Sequence, residues 1–267
     1  MWYVLFGTDV ETAKEDAKTK EGKKRIIKTL ALKAYRDLSR TLSYSFSSGK
    51  LEEMKRGKHG EENAEEKRKA VSFDEVKERF KEEVICTITN SILSLPEMLK
   101  LGRFNKWHEE TCKDIRNKAD KIVDGKIYLF TKKNKKGEDV KGKEAFFYGQ
   151  AQKWLNMTLK NVLILSMLND ELKLIDYPIK SIVQYLHVPV DSLIMQGAAK
   201  ELEIKVTSKP WSQWTKCEYV AFQDNIRKKF PPENRDLELE IKGIPYKYSC
   251  PIEWEFDAWI RMSESRS

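Results

Sequence analysis

The segment from Ala145 to Leu168 constrains this chain more than any other. Trp154, Leu155, Met157, Leu159, Val162, Leu163, Leu165 and Met167 leave it too apolar for a helix with one wet face. Such a helix is stable only when other elements surround it. The pattern therefore predicts a mainly helical fold with residues 145–168 at its centre.

The flanking sequence supplies the elements to cover it. Lys23 to Phe46 carries a helical stripe of Ile26, Ile27, Leu30, Leu32, Ala34, Tyr35 and Leu38. Ser72 and Glu75 form a capping box for a helix running to Ser94, and a further helix is expected over Leu101 to Ile122. YLF at 128–130 reads as extended, and KKNKKGEDVKGK after it as a basic, glycine-punctuated turn. A short helix should end near Tyr185. HVPVD then places Asp191 as the cap of a helix beginning at Ser192. Pro210 to Phe230 is expected as a helix entered through PWSQW. LELEI and YKYS make a small β-hairpin, and a last helix surrounds Trp254 to Met262. The expected organisation is a helical segment over 1–48 docked on the core, a charged linker or solvated helix over 49–72, and a helical main domain over 73–267.

Composition limits what such a fold would do. With 267 residues and 40% hydrophobic content the chain can bury a substantial core. Its formal charge of +8 and pI near 9.1 favour an anionic partner, nucleic acid ahead of a membrane surface. MWYVLFG is too short and wrongly flanked for a secretory signal, and no run approaches the roughly 20 apolar residues of a membrane span. Cys86, Cys112, Cys217 and Cys250 are scattered, and His59, His108 and His187 form no ligand motif, so neither a metal nor another cofactor is expected. A reduced, cytoplasmic, monomeric protein is the reading that results.

Within the central stretch, Gly149, Ala151 and Lys153 have the spacing G-x-A-x-K, in which small residues permit close approach of a phosphate at a helix start. Gln150 and Gln152 lie between them as candidate readers of a base edge, and Lys132, Lys133, Lys135 and Lys136 in the preceding loop as phosphate contacts. G-x-A-x-K followed by V-P-V-D resembles the helix-hairpin-helix DNA glycosylase superfamily. The spacing of Lys153 and Lys160 is similar to the K-x6-K pattern of its archaeal 8-oxoguanine glycosylase branch. Ala151 stands where the superfamily has a second glycine, and 37 residues lie between Lys153 and Asp191, a longer interval than most members have.

The resemblance implies excision of a damaged or modified base, including one carried by viral DNA, from a flipped nucleotide of double-stranded DNA. It implies Asp191 as the carboxylate that stabilises the sugar cation. Lys153 would be the nucleophile or a phosphate-positioning cation, Lys160 its neighbour, and a lyase step remains open. Trp211, Trp214, Phe147 and Tyr148 are the aromatic candidates for a base pocket. A non-catalytic helical module that contacts DNA or RNA phosphates through GQAQK is the alternative.

Overall fold

The computed structural model describes residues 9–46, 73–122, 127–131, 146–168, 172–230 and 236–265. The charged stretch at 49–72 and the loop holding Lys132, Lys133, Lys135 and Lys136 lie outside them. Helices α1 (Val10–Ala17) and α2 (Lys20–Ser39) precede strand β1 (Leu42–Phe46). Helices α3 (Phe73–Lys100) and α4 (Phe104–Ile122) lead to strand β2 (Ile127–Thr131). The central helix α5 (Tyr148–Leu168) is followed by α6 (Ile179–Val183), α7 (Ser192–Glu201), a 3-10 turn (Trp211–Gln213) and α8 (Lys216–Lys229). Strands β3 (Leu237–Ile241) and β4 (Ile244–Tyr248) and helix α9 (Pro251–Glu264) complete the order. The architecture is mainly α-helical with a small C-terminal antiparallel hairpin, as the pattern predicts.

Helix α5 is the core. Residues Tyr148 to Asn156 are buried without interruption, and Leu159, Val162, Leu163 and Leu165 continue the apolar surface. Trp154 is enclosed between Tyr35 of α2 and Phe80 of α3, and its indole N–H donates to the Ala31 carbonyl at 2.9 Å. That bond matters because a buried indole nitrogen left unpaired would offset part of what the ring's burial contributes. Helices α3 and α4 fold back on each other through Gly102 at φ 63, where Gly102 N–H bonds the Leu99 carbonyl and Arg103 N–H that of Met98. This double bond is the Schellman pattern, whose left-handed position favours glycine.

Two expected boundaries differ. The helix over Lys23–Phe46 ends at Ser39, and residues 42–46 pair antiparallel with β2, Leu42 opposite Thr131 and Phe46 opposite Ile127. Local periodicity does not report a partner some eighty positions away, and LSYSF has the alternation a strand accepts. Helix α3 also continues past Ser94 to Lys100, with Pro96 inside it. The hairpin β3–β4 turns at Lys242 and Gly243, both with positive φ, as a tight two-residue connection requires.

Candidate functional site

The segment Leu186–Val190 is buried throughout and delivers Asp191 to the start of α7. It is held from the side by Gln223 of α8. The Gln223 amide accepts from Val188 N–H at 3.1 Å and donates to the Val188 carbonyl at 2.8 Å, replacing the strand partner this backbone lacks. Asp191 caps α7 with Oδ1, which accepts from the Leu193 and Ile194 amides at 2.9 Å each. Its Oδ2 accepts from Lys153 Nζ at 2.9 Å.

The Lys153 and Asp191 side chains are 8% and 19% exposed, a pair sheltered enough for strong coupling yet still open at the carboxylate. Burial alone would raise the Asp191 pKa. The Lys153 charge and the bonds from Ile194, Lys153 and Leu193 outweigh it and hold the carboxyl below its usual range. Asp191 is therefore a carboxylate at neutral pH.

One heptad along α5, Lys160 Nζ lies 2.5 Å from Glu255 Oε2 and 4.1 Å from the centre of the Phe256 ring. Glu255 is 1% exposed. Burial drives its pKa up against the opposing charges of Lys160 and Lys153, and the Asp191 charge raises it further. Lys153, Asp191, Lys160 and Glu255 thus form one interacting cluster where α5, α7 and α9 meet. Sequence reading found three of the four and missed Glu255. The signal was present, because Glu255 occupies the same stripe of α9 as Ile252, Ala258 and Met262, where a charge needs a partner.

The small-residue motif has a different role from the one expected. Helix α5 already begins at Tyr148, so Gly149 lies in its first turn and Lys153 in its second. A Cβ at position 149 would overlap the Trp211 carbonyl, and the Gly149 N–H donates to the Trp214 carbonyl at 2.9 Å. Glycine is needed here so that the 3-10 turn can lie on the helix. Gln150 caps Phe147 N–H and donates to Thr41 Oγ1. Gln152 donates to the Gly149 carbonyl, and Ala151 is 0% exposed. Gly149, Gln150, Ala151 and Gln152, expected as DNA contacts, are all buried within the protein.

Of the aromatic candidates, Trp214 is core, 1% exposed, with its indole N–H on the Lys209 carbonyl. Tyr148 is buried against Tyr219, and Phe147 is half-buried. Trp211 alone of the four borders the groove of about 430 Å³ whose walls include Ser192, Met195 and Lys209. That groove starts one residue from Asp191. Among the described residues no group of three or more His, Cys, Asp or Glu is placed to hold a metal ion, and no helix is long and apolar enough to cross a membrane. Comparisons of the chain with protein-family models, curated proteins and solved structures give no match.

Proposed function

We propose that this chain is a DNA glycosylase of helix-hairpin-helix type that releases a modified or damaged base and leaves an abasic site. The observation that carries the reading is the 2.9 Å contact between Lys153 Nζ and Asp191 Oδ2, made across 38 positions of sequence, with Ser192, the residue after Asp191, lining a groove that Trp211 borders. As the bond from C1′ to the base nitrogen breaks, its electron pair leaves with the base and positive charge grows on the sugar. The Asp191 carboxylate stabilises that charge. Water then adds its oxygen to C1′, and the proton it gives up goes to the nitrogen of the departing base, which leaves the abasic site. In the alternative course, the Lys153 amine, its proton passed to the departing base, forms the new bond at C1′, and opening of the sugar ring leads to a Schiff base.

Burial of Gly149–Gln152 supports the catalytic reading over the non-catalytic module, whose phosphate contacts would have to come from these residues. The test is incubation with duplexes carrying single modified bases, followed by alkaline cleavage. One or more duplexes should break at the modified position with the wild-type chain and stay intact with Asp191→Asn. Equal cleavage by both proteins, or none across oxidised, alkylated and glycosylated bases, refutes the reading. Borohydride trapping separates the two courses, because only attack by Lys153 leaves a covalent adduct, which Lys153→Gln removes.

A further inference from the structure

A second pocket, of about 350 Å³, lies between the first turns of α4 and the outer face of α8, away from the groove beside Asp191. Its floor is a hydrogen-bonded chain that a single set of directions satisfies throughout. Asn156 donates through Nδ2 to Gln152 Oε1 at 3.0 Å and to the Tyr219 hydroxyl at 2.9 Å, so its Oδ1 accepts from His108 Nε2 at 2.9 Å. The Tyr219 hydroxyl, having accepted from Asn156, donates to His187 Nδ1 at 2.7 Å. His187 Nε2–H is left to donate to Asn105 Oδ1 at 3.2 Å, and Arg227 Nη1 reaches the same oxygen at 3.5 Å.

Two consequences follow for the pocket. Asn105 is exposed at the pocket's lining, and with its oxygen taken twice its Nδ2 is left as a donor that has no protein partner among the described residues. Arg227, partly withdrawn from water, donates only to the neutral oxygens of Asn105 and Tyr185. Among the described residues no carboxylate lies within ion-pair distance of it. Lys106 stands at the rim, 3.9 Å from Glu110, and Glu109 is taken up by Lys216, while the Asp224 charge acts on Arg227 without an ion pair. Asp224, on the exposed side of α8, is the remaining acid of the lining. Asn105, Lys106 and Arg227 place their donors along one lining, and a guanidinium with unused N–H groups is the side chain best matched to a phosphate oxygen pair.

We infer that the pocket formed by Asn105, Lys106, His187 and Arg227 binds a phosphate group. In the setting of the proposed reaction, on which the choice of source rests, this is a backbone phosphate of the DNA strand. His187 and Asp191 are four residues apart, so their Cα atoms lie within about 14 Å. That reach spans a few nucleotides of one strand.

The experiment compares the full chain with Asn105→Asp, which keeps an oxygen for His187 and Arg227 but exchanges the amide donor for a negative charge. Two probes are used: inorganic phosphate, followed by the imidazole resonances of His187 and His108, and an unmodified duplex titrated at several salt concentrations. Binding of a backbone phosphate predicts weaker duplex binding in the variant and a salt slope smaller by about one charge. Binding of free phosphate predicts saturable millimolar shifts of the His187 resonances that the variant lacks, with duplex binding unaltered. Either result supports the site. No shift together with an unchanged salt slope overturns it. Should Asn105→Asp fail to fold, Lys106→Gln, at an exposed rim position, is read in the same two assays. Base excision accompanied by an unchanged slope and by no phosphate-induced shift removes the phosphate site and leaves the proposed reaction. Phosphate-shifted histidines in a chain that excises nothing do the reverse.

Discussion

Acidification should unfold this protein through His108 before its carboxylates are reached. His108 is 1% exposed and bonded to Asn156, with Cys112 beside its Nδ1 and Arg227 and Glu109 as the charges that act on it. Burial, with the Arg227 charge in the same direction, lowers its pKa to about 4, against the Asn156 bond and Glu109, which raise it. An unfolded histidine takes up its proton near pH 6.5. Between those values the unfolded chain holds a proton that the native one refuses, so stability falls as pH falls from about 6.5 to about 4 and levels off below. At 1.36 kcal/mol per unit, the full effect is about 3 kcal/mol, of which about 2 kcal/mol is lost between pH 7 and pH 5. His187, likewise depressed well below its ordinary value by burial, adds in the same sense.

Urea unfolding of the wild type and of His108→Gln at half-unit steps from pH 7.5 to 4.5 measures this. The variant, which keeps an amide donor near Asn156, should lose about 2 kcal/mol less over pH 7 to 5 than the wild type does. Parallel loss in the two proteins, or an NMR titration placing the native His108 near pH 6.5, refutes the reasoning.

Three further outcomes are expected. Gly149→Ala must displace the Trp211 carbonyl and should cost more than about 2 kcal/mol in thermal unfolding, whereas an unchanged midpoint would show that the 3-10 turn is not pressed on α5. Glu255→Met should destabilise by about 3–5 kcal/mol by leaving Lys160 unpaired, and Lys160→Met added to it should recover most of the loss, so equal stability of the single and double variants would contradict a closed pair. Asp191→Asn should keep α7, because an asparagine oxygen still accepts from Leu193 and Ile194, while abolishing base release; circular dichroism and the excision assay read the two separately.

The parts of the fold legible in the sequence are those whose cause is local. An apolar helix wet on no side had to be central, HVPVD had to cap a helix, and LELEI with its Lys-Gly turn had to fold back as a hairpin. Ribbon β1–β2 was not legible, since its partners are joined only in space. G-x-A-x-K shows the same limit at the site. The spacing correctly marked a close approach to Gly149, but nothing along the chain says whether a phosphate or the Trp211 backbone makes it. Glu255 was overlooked because a glutamate on an amphipathic helix is ordinarily solvated, and only the arrival of Lys160 from α5 makes its burial tolerable.

The two oxygens of Asp191 are assigned to different partners, and this bears on reorganisation energy. A carboxylate free to rotate must be arrested before it can solvate a nascent cation, and that arrest adds to an activation barrier. Here Oδ1 is fastened to two amides of α7, so the plane of the group is set when the helix forms. In the proposed reaction, a positive centre taking the place of the Lys153 ammonium would meet an Oδ2 that already faces it. The dipolar work of orienting the charge would thereby be moved from the reaction coordinate to folding.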